Sequence, residues 1–290
     1  MPSLIRASAS DGASVPARWA GAIVRHPGLA IGTLVLVVVL AAAIAAPVLG
    51  TVDPNRLNPM LRLKPPSASA WFGTDRLGRD IYSRVLFGAR VSLIVGVSVA
   101  VLVTALGLTV GLLAGFLKRA DSMLMRLMDA LMSIPAVLLA IALMSLTKAS
   151  VGNVIFVVAL GELPAMARLV RSVVLSLRER PYVDAAITSG TRLPLLLVRH
   201  ILPNTVSILL VQGTFVFASA MILEAVLSFV GAGTPPDVPS WGAMIADARG
   251  TFQIAPYTVL FPALALSLTV LSVNMVGNGL QAVLDRQARR

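Results

Sequence analysis

A few side chains within the apolar stretches of this chain have the chemistry to line a polar path. Glu162 and Glu224 each lie in an apolar run, where a carboxylate must face protein or water. For Glu224 the interpretations stay open: a residue that lines or gates a path, a hydrogen-bonded structural carboxyl, or a group already at the outer interface. Glu162 has Pro164 and Arg168 nearby, so we expect it in a polar break, paired with an arginine.

Two amides near the end of the chain add to this set. Asn274 and Asn278 are four residues apart, so on a helix they share one face. Hydrogen bonding between helices is the first interpretation of such a pair in a membrane, and a place in the substrate path is the second. With Glu224 they are our candidates for a translocation path or gate.

Three glycines repeat at a spacing of four residues, at Gly107, Gly111 and Gly115. This spacing places all three on one helix face, where a second helix can approach the backbone closely. We predict that they serve helix packing, chiefly within this chain.

Several kinds of catalytic or ligand chemistry are missing from the sequence. Cysteine is absent, and the two histidines, His26 and His200, are far apart. This pattern predicts neither a disulfide nor a metal site. No G-x-x-x-x-G-K-[ST] phosphate loop occurs, and no catalytic triad or carboxylate pair is evident. We therefore predict no catalytic residue, no bound cofactor and no enzyme.

The elements that carry these residues are predicted to be membrane-spanning helices. The chain has 290 residues, is 57% hydrophobic and only 13% charged, and its mean hydropathy is +0.87. Runs without charge cover 28–49, 91–117, 130–147, 201–223 and 250–284, and a helix of about 20 apolar residues crosses a bilayer. A sixth candidate contains Glu162. We expect an all-α, polytopic membrane protein with six helices, at 28–49, 88–117, 122–147, 151–175, 203–231 and 256–284.

The basic residues predict an orientation. The net charge is +11, which we assign to cytoplasmic flanks rather than to nucleic-acid binding. With both termini in the cytosol, fifteen of the 24 basic residues lie inside, although seven of the others cluster outside between Arg56 and Arg90. The predicted divisions are a cytosolic segment at 1–27, the first span at 28–49, an external loop at 50–87 with a short surface helix near 80–87, a helical core at 88–285 and a cytosolic tail at 286–290.

One polar, arginine-rich segment lies between two spans, at 168–204. Pro181 is suited to the first turn of a helix, Ala185 and Ala186 are small enough to let a partner approach, and Gly190 fits a helix stop. A short helix presented below the bilayer is expected, suited to a groove in another protein. The alternative is an interfacial helix that binds nothing.

This segment resembles the EAA loop of ABC-importer permeases. The family pattern is E-A-A, three residues, G, nine residues and I-x-L-P. Here the matching residues are Asp184-Ala185-Ala186, Gly190 and, after nine intervening residues, His200-Ile201-Leu202-Pro203. Asp stands for Glu, and His stands for Ile as in the R-H-I-L-P-N variant of the dipeptide/oligopeptide/nickel permeases.

Further blocks are similar to the same subfamily in the same order. They are F-G-T-D-R-L-G-R-D at 72–80, E-A-V-L-S-F-V-G at 224–231 and N-M-V-G-N-G-L at 274–280. The resemblance extends from about Trp71 almost to the C-terminus. In the last block Asn278 replaces the usual Asp.

The resemblance implies a type I ABC-importer permease fold and a C-type permease subunit of a peptide-class importer in the bacterial inner membrane. It implies a coupling loop at 178–203, with ATPase contact by Asp184, Ala185, Ala186 and Gly190, to which Arg180 and Arg192 add charge complementarity. The implied partners are a homologous B-type permease, two ATPase domains that bind ATP and Mg²⁺, and an external solute-binding protein. The alternatives are an ion-driven secondary transporter and a membrane scaffold subunit.

Overall fold

The computed structural model describes residues 27–288, with the surroundings of side chains as far as Leu284. In this range the chain forms ten α-helices and no β-strand. The helices are α1 Pro27–Ala45, α2 Ile81–Phe116, α3 Lys118–Met132, α4 Ala136–Ser145, α5 Val151–Arg178, α6 Pro181–Thr188, α7 Leu193–Leu196, α8 Leu202–Val230, α9 Trp241–Ala248 and α10 Tyr257–Ala288. The first 26 residues of the predicted segment 1–27, and the last two of the predicted tail 286–290, lie outside the described residues.

Five of the described elements are long and apolar enough to cross a membrane, namely α1 with the turn that follows it, α2, α5, the α7–α8 unit and α10. There is a sixth crossing if α3 and α4, which meet at a bend of 84°, are counted as one span. The all-α, polytopic fold is therefore confirmed.

The third predicted helix, at 122–147, was wrong as a single element. It is interrupted at residues 133–135 between α3 and α4. Pro135 has no N–H to donate, and it disfavours helical geometry at the residue before it. In place of one helix the chain forms two shorter ones.

The packing of α5 fixes the direction in which each span runs. Gly107 of α2 packs against Met166 of α5, and Gly115 packs against Val174, so the two helices are parallel. The intervening chain must therefore return across the bundle, and α3 and α4 do so alongside α5.

The two ends of the bundle differ in their content. We call the end that carries residues 46–80 and 231–256 the loop end, and the opposite end, which carries α6, the α6 end. Helices α1 and α10 pack antiparallel, with Gly32 against Met275 and Gly279 against Leu29. The start of α1 and the end of α10 therefore both lie at the α6 end.

Helix α2 begins at Ile81, seven residues before the predicted start. Asp80 is its N-cap and accepts the backbone N–H of Ser83 at 2.8 Å. The short surface helix predicted near 80–87 was wrong, because these residues are the first turns of α2. Arg84, within these first turns, is buried.

Three arginines of the loop end converge on one carboxylate of α9. Asp247 is 2.8 Å from Arg79, 3.4 Å from Arg76 and 3.8 Å from Arg84. Asp75 accepts a second bond from Nε of Arg79 at 2.5 Å. Part of the basic cluster that opposed the predicted orientation is thus neutralised within the fold.

Candidate functional site

Helix α6 is a single exposed element with clear start and stop signals. Pro181 occupies its first turn after Arg180, whose backbone is extended. Gly190 has φ +78° and donates its N–H to the carbonyl of Ile187 at 2.9 Å, while Thr191 donates to Ala186 at 3.0 Å. Glycine suits the left-handed position that ends a helix in this way.

Buried residues attach α6 to the bundle. Val183 has no exposed surface, and Leu196 of α7 and Ile201 of the following turn are also buried. All three belong to the same apolar cluster as Val174 of α5, and Ala186 packs partly against it. A force on α6 would therefore reach the spans through direct side-chain contacts.

The other face of α6 is open. Asp184 and Ala185 are exposed, and Tyr182 and Ile187 keep 42% and 49% of their surface accessible. A small residue flanked by larger apolar ones forms a shallow surface that a groove could cover. Asp184, Ala185 and Gly190 are exposed here, whereas Ala186 is half-buried; the contact of these four residues with an ATPase stays a prediction.

Arg180 and Arg192 flank this surface. Both are exposed, and neither forms an ion pair with any residue in the described range. Their charges are free to meet an acidic partner surface.

A π-helical turn at Leu197–Ile201 joins α7 to α8. Pro203 follows it and has no N–H to donate, which weakens helical bonding in the preceding turn. Asn204 donates instead to the carbonyl of His200 at 2.7 Å. The sequence showed this proline, but the local change in helix type was not predicted.

Beside α6, a polar groove opens between α5, α8 and α10. It has a volume of about 630 Å³. Its polar lining includes Asn204, Ser207, Gln212 and Gln281. The sequence analysis missed Gln212 and Gln281, although an uncharged amide within an apolar run was a usable signal. In a span, such a surface needs water or a protein partner against it.

Asn274 and Asn278 lie on α10 above this groove. Asn274 is half-buried, Asn278 is exposed, and Gln281 follows Asn278 by three residues, which puts all three on one helix face. Their place on the path remains a prediction.

Glu224 is fully buried near the loop end. Its Oε1 accepts the hydroxyl of Ser228 at 2.9 Å and that of Ser240 at 2.8 Å. Ser240 also caps α9 by accepting the N–H of Ala243 at 3.1 Å. These contacts are the ones expected of a structural carboxyl. The gating role of Glu224 stays a prediction.

Glu162 accepts the hydroxyl of Ser219 at 2.5 Å. The expected pairing with an arginine was wrong, because Arg168 binds Asp129 at 2.5 Å instead. The bend between α3 and α4, which sequence periodicity did not show, brings Asp129 within reach.

The three spaced glycines all face α5. A Cβ at Gly107 would lie 2.3 Å from Met166, one at Gly111 would lie 2.5 Å from Val170, and one at Gly115 would lie 2.4 Å from Val174.

Among the described residues no group of three His, Cys, Asp or Glu side chains could hold a metal.

Comparison with known proteins identifies the family. Residues 107–290 match the model of the binding-protein-dependent transport system inner membrane component. The chain belongs to this family. It is an ABC-importer permease, a multi-pass membrane component, and the resemblance drawn from its motifs is confirmed.

Similar proteins cover nearly the whole chain. A probable peptide ABC transporter permease protein of Sinorhizobium fredii is 51% identical, over 92% of this chain and 91% of its own length. A dipeptide transport system permease protein of Alkalihalophilus pseudofirmus is 40% identical, over 88% and 84%. A glutathione transport system permease protein of Pectobacterium atrosepticum is 40% identical, over 92% and 89%. These matches favour the importer over an ion-driven transporter or a scaffold.

Proposed function

We propose that this chain is the C-type permease subunit of an ATP-driven importer of peptides or related small solutes, and that α6 is the contact through which ATPase domains move it. The names of its relatives, which include peptide, dipeptide and glutathione transport, support the substrate class. The chain itself performs no bond chemistry.

The observation that carries this proposal is that α6 is exposed on one face and buried on the other. Asp184 and Ala185 are exposed toward a partner, while Val183 is fully buried in the core of the bundle. A helix held in this way transfers a displacement instead of absorbing it, because packed interiors deform little. ATP and Mg²⁺ are bound by the partner ATPases, whose closure on ATP moves α6.

The proposed partners follow from the exposed polar surface. The groove between α5, α8 and α10 faces a homologous B-type permease across a shared path, with Glu224, Asn274 and Asn278 as path or gate candidates of this subunit. A solute-binding protein delivers substrate at the loop end. In this assembly α6 and both termini lie in the cytosol of a bacterium, and the protein lies in its inner membrane.

The test is a pair of substitutions at Gly190. A Cβ there would meet no atom of the described residues within 4 Å, so the bulk of Gly190→Arg extends into space that a docked partner would occupy. We expect uptake to fall about tenfold, within the range of ordinary coupling free energies, while ATP hydrolysis by the assembled complex continues. Reconstituted vesicles with purified binding protein give both rates.

Gly190→Ala is the matched control. It has the same left-handed backbone strain as the arginine variant, since both replace glycine at positive φ, but it adds no bulk or charge. We expect it to keep most of the wild-type uptake. Normal coupled uptake by Gly190→Arg would contradict the proposal, and so would equal losses in both variants.

A further inference from the structure

An apolar groove runs between α1 and α2 on the outer surface of the bundle. Its volume is about 460 Å³, and its lining is apolar apart from Arg90 and Ser98. Leu40 of α1, and Leu93, Ile94 and Val97 of α2, form its walls. The groove is separate from the polar groove at the α6 end, which lies between other helices.

Arg90 closes the groove at its loop end. Its Nε donates to the carbonyl of Ala43 at 2.6 Å, and its Nη2 donates to that of Ile44 at 3.0 Å. Its guanidinium also lies 5.1 Å from the centre of the Phe87 ring. Nη1 has no hydrogen-bond partner among the residues that the structure describes, so one edge of the cation is available to a ligand.

The position of Arg90 along the membrane normal follows from α1. The span that contains this helix, Pro27–Val48, has 22 residues, about 33 Å at 1.5 Å per residue, close to the thickness of the hydrocarbon core. Ala43 and Ile44 lie in the last turn of α1, shortly before the end of this span. We therefore place Arg90 near the boundary between hydrocarbon and headgroups, where a long side chain can reach a lipid phosphate, with the apolar groove extending from it into the hydrocarbon.

We propose that this groove binds a phospholipid, whose phosphate pairs with Arg90 and whose acyl chain lies along α1 and α2. A phosphate accepts charge-assisted bonds from guanidinium edges, and the groove is in the size range of small-molecule sites. The proposal rests on the membrane position of the spans and not on the docking of α6.

A partner helix is the less suitable occupant. Helices associate in membranes through small or polar residues that let backbones approach. The groove offers mainly Leu, Ile and Val walls, with Ala43 and Ser98 as its two small residues. Flexible chains fill such a surface better than a second helix does.

The test measures lipid that stays with the intact transport complex. The complex is reconstituted with phosphatidylglycerol and with diacylglycerol of the same acyl chains, then extracted gently and analysed by native mass spectrometry. We expect wild type to retain the phospholipid about tenfold better, as expected for one hydrogen bond to a charged group. Arg90→Gln should lose this preference.

Arg249 provides the matched control. It also donates to a helix-end carbonyl, that of Phe229 at 3.2 Å, and lies over the ring of the same residue, but it does not line the groove. Arg249→Gln should keep the wild-type preference. Equal retention of both lipids by wild type, or an unchanged preference in Arg90→Gln, would overturn the proposal.

A second variant tests the acyl site without touching Arg90. Ile94→Trp fills the groove from its open side and should release the bound lipid, whereas Leu106→Trp, at another exposed apolar position of α2 outside the groove, should not. A photoreactive residue at position 94 should label acyl chains. Labelling of a partner permease there instead would refute the lipid assignment.

Discussion

Glu224 shows how a carboxylate can be retained inside a membrane protein. It has no exposed surface, and two serine hydroxyls donate to one of its oxygens. Through Ser240 it joins α8 to the first turn of α9. Its second oxygen has no partner among the described residues, so the site holds one acceptor firmly and leaves the other free.

This arrangement predicts a difference between two substitutions at Glu224. Glu224→Gln keeps an acceptor oxygen for both serines and should fold and assemble normally. Glu224→Ala removes the acceptor that both hydroxyls share and should lose about 2 kcal/mol of stability, measured as a lower unfolding temperature of the purified complex.

Transport by the glutamine variant then separates the structural interpretation of Glu224 from the gating one. Near-normal uptake would support a structural carboxyl. A variant that assembles with wild-type stability and does not transport would support the gate instead.

At the candidate site, the sequence was informative where the chemistry is local. Pro181 marks the start of α6 and Gly190 marks its end, so the exposed surface around Asp184 followed from residues close in sequence. Gln212 and Gln281 come from helices far apart in the chain, and nothing local shows that they share a groove. The pairing of Arg168 with Asp129 was missed for the same reason.

Among the elements, α2 and α5 pack through three glycines that are spaced four residues apart. Gly111 is the middle glycine of the series, and a Cβ there would also lie 2.9 Å from the backbone carbonyl of Ala167. A backbone atom cannot move aside as a flexible side chain can, so α2 and α5 would have to separate.

We therefore expect Gly111→Val to destabilise the subunit by about 1–3 kcal/mol, the usual cost of overpacking. Gly152 in the first turn of α5 is the control, because a Cβ there meets nothing within 4 Å, and Gly152→Ala should be neutral or stabilising. Thermal unfolding in detergent checks both. Equal stability of Gly111→Val and wild type would show that this contact tolerates separation.

Element boundaries were predicted well only where no distant residue intervenes. The predicted α1 and α10 nearly coincide with the observed helices, because each is a long apolar run. The start of α2 was missed because Arg84 suggests solvent, while its partner Asp247 lies in α9. Arg90 likewise suggests the end of a span in the sequence, but in the fold it donates to carbonyls of α1.

On the scale of the whole molecule, the two ends have different constructions. The loop end is held by ion pairs from Asp247 to Arg76 and Arg79, and by a bond from Asn55 to the carbonyl of Asp237 at 2.7 Å. The α6 end has the open polar groove and the exposed surface of α6. A subunit closed at one end and open at the other is suited to expose a path to one side of the membrane at a time.

The composition of the chain allows a direct measurement of which end faces the cytosol. It contains no cysteine, so one introduced thiol is the only one in the subunit. Met60 at the loop end is 87% exposed, and Ile187 on α6 is 49% exposed. Basic residues favour the cytosolic side, and those that flank the α6 end among the described residues include Lys118, Arg119, Arg178, Arg180, Arg192 and Arg199.

We therefore expect a membrane-impermeant maleimide to label Met60→Cys in intact spheroplasts, and to label Ile187→Cys only after the membrane is opened. Labelling of both variants in detergent shows that each thiol is reactive, so that protection in spheroplasts reports the membrane and not local burial. The reverse pattern would place α6 outside the cell, where no ATPase could reach it. Orientation, and with it the coupling role of α6, would then be wrong, while the helical fold and the lipid groove would stand.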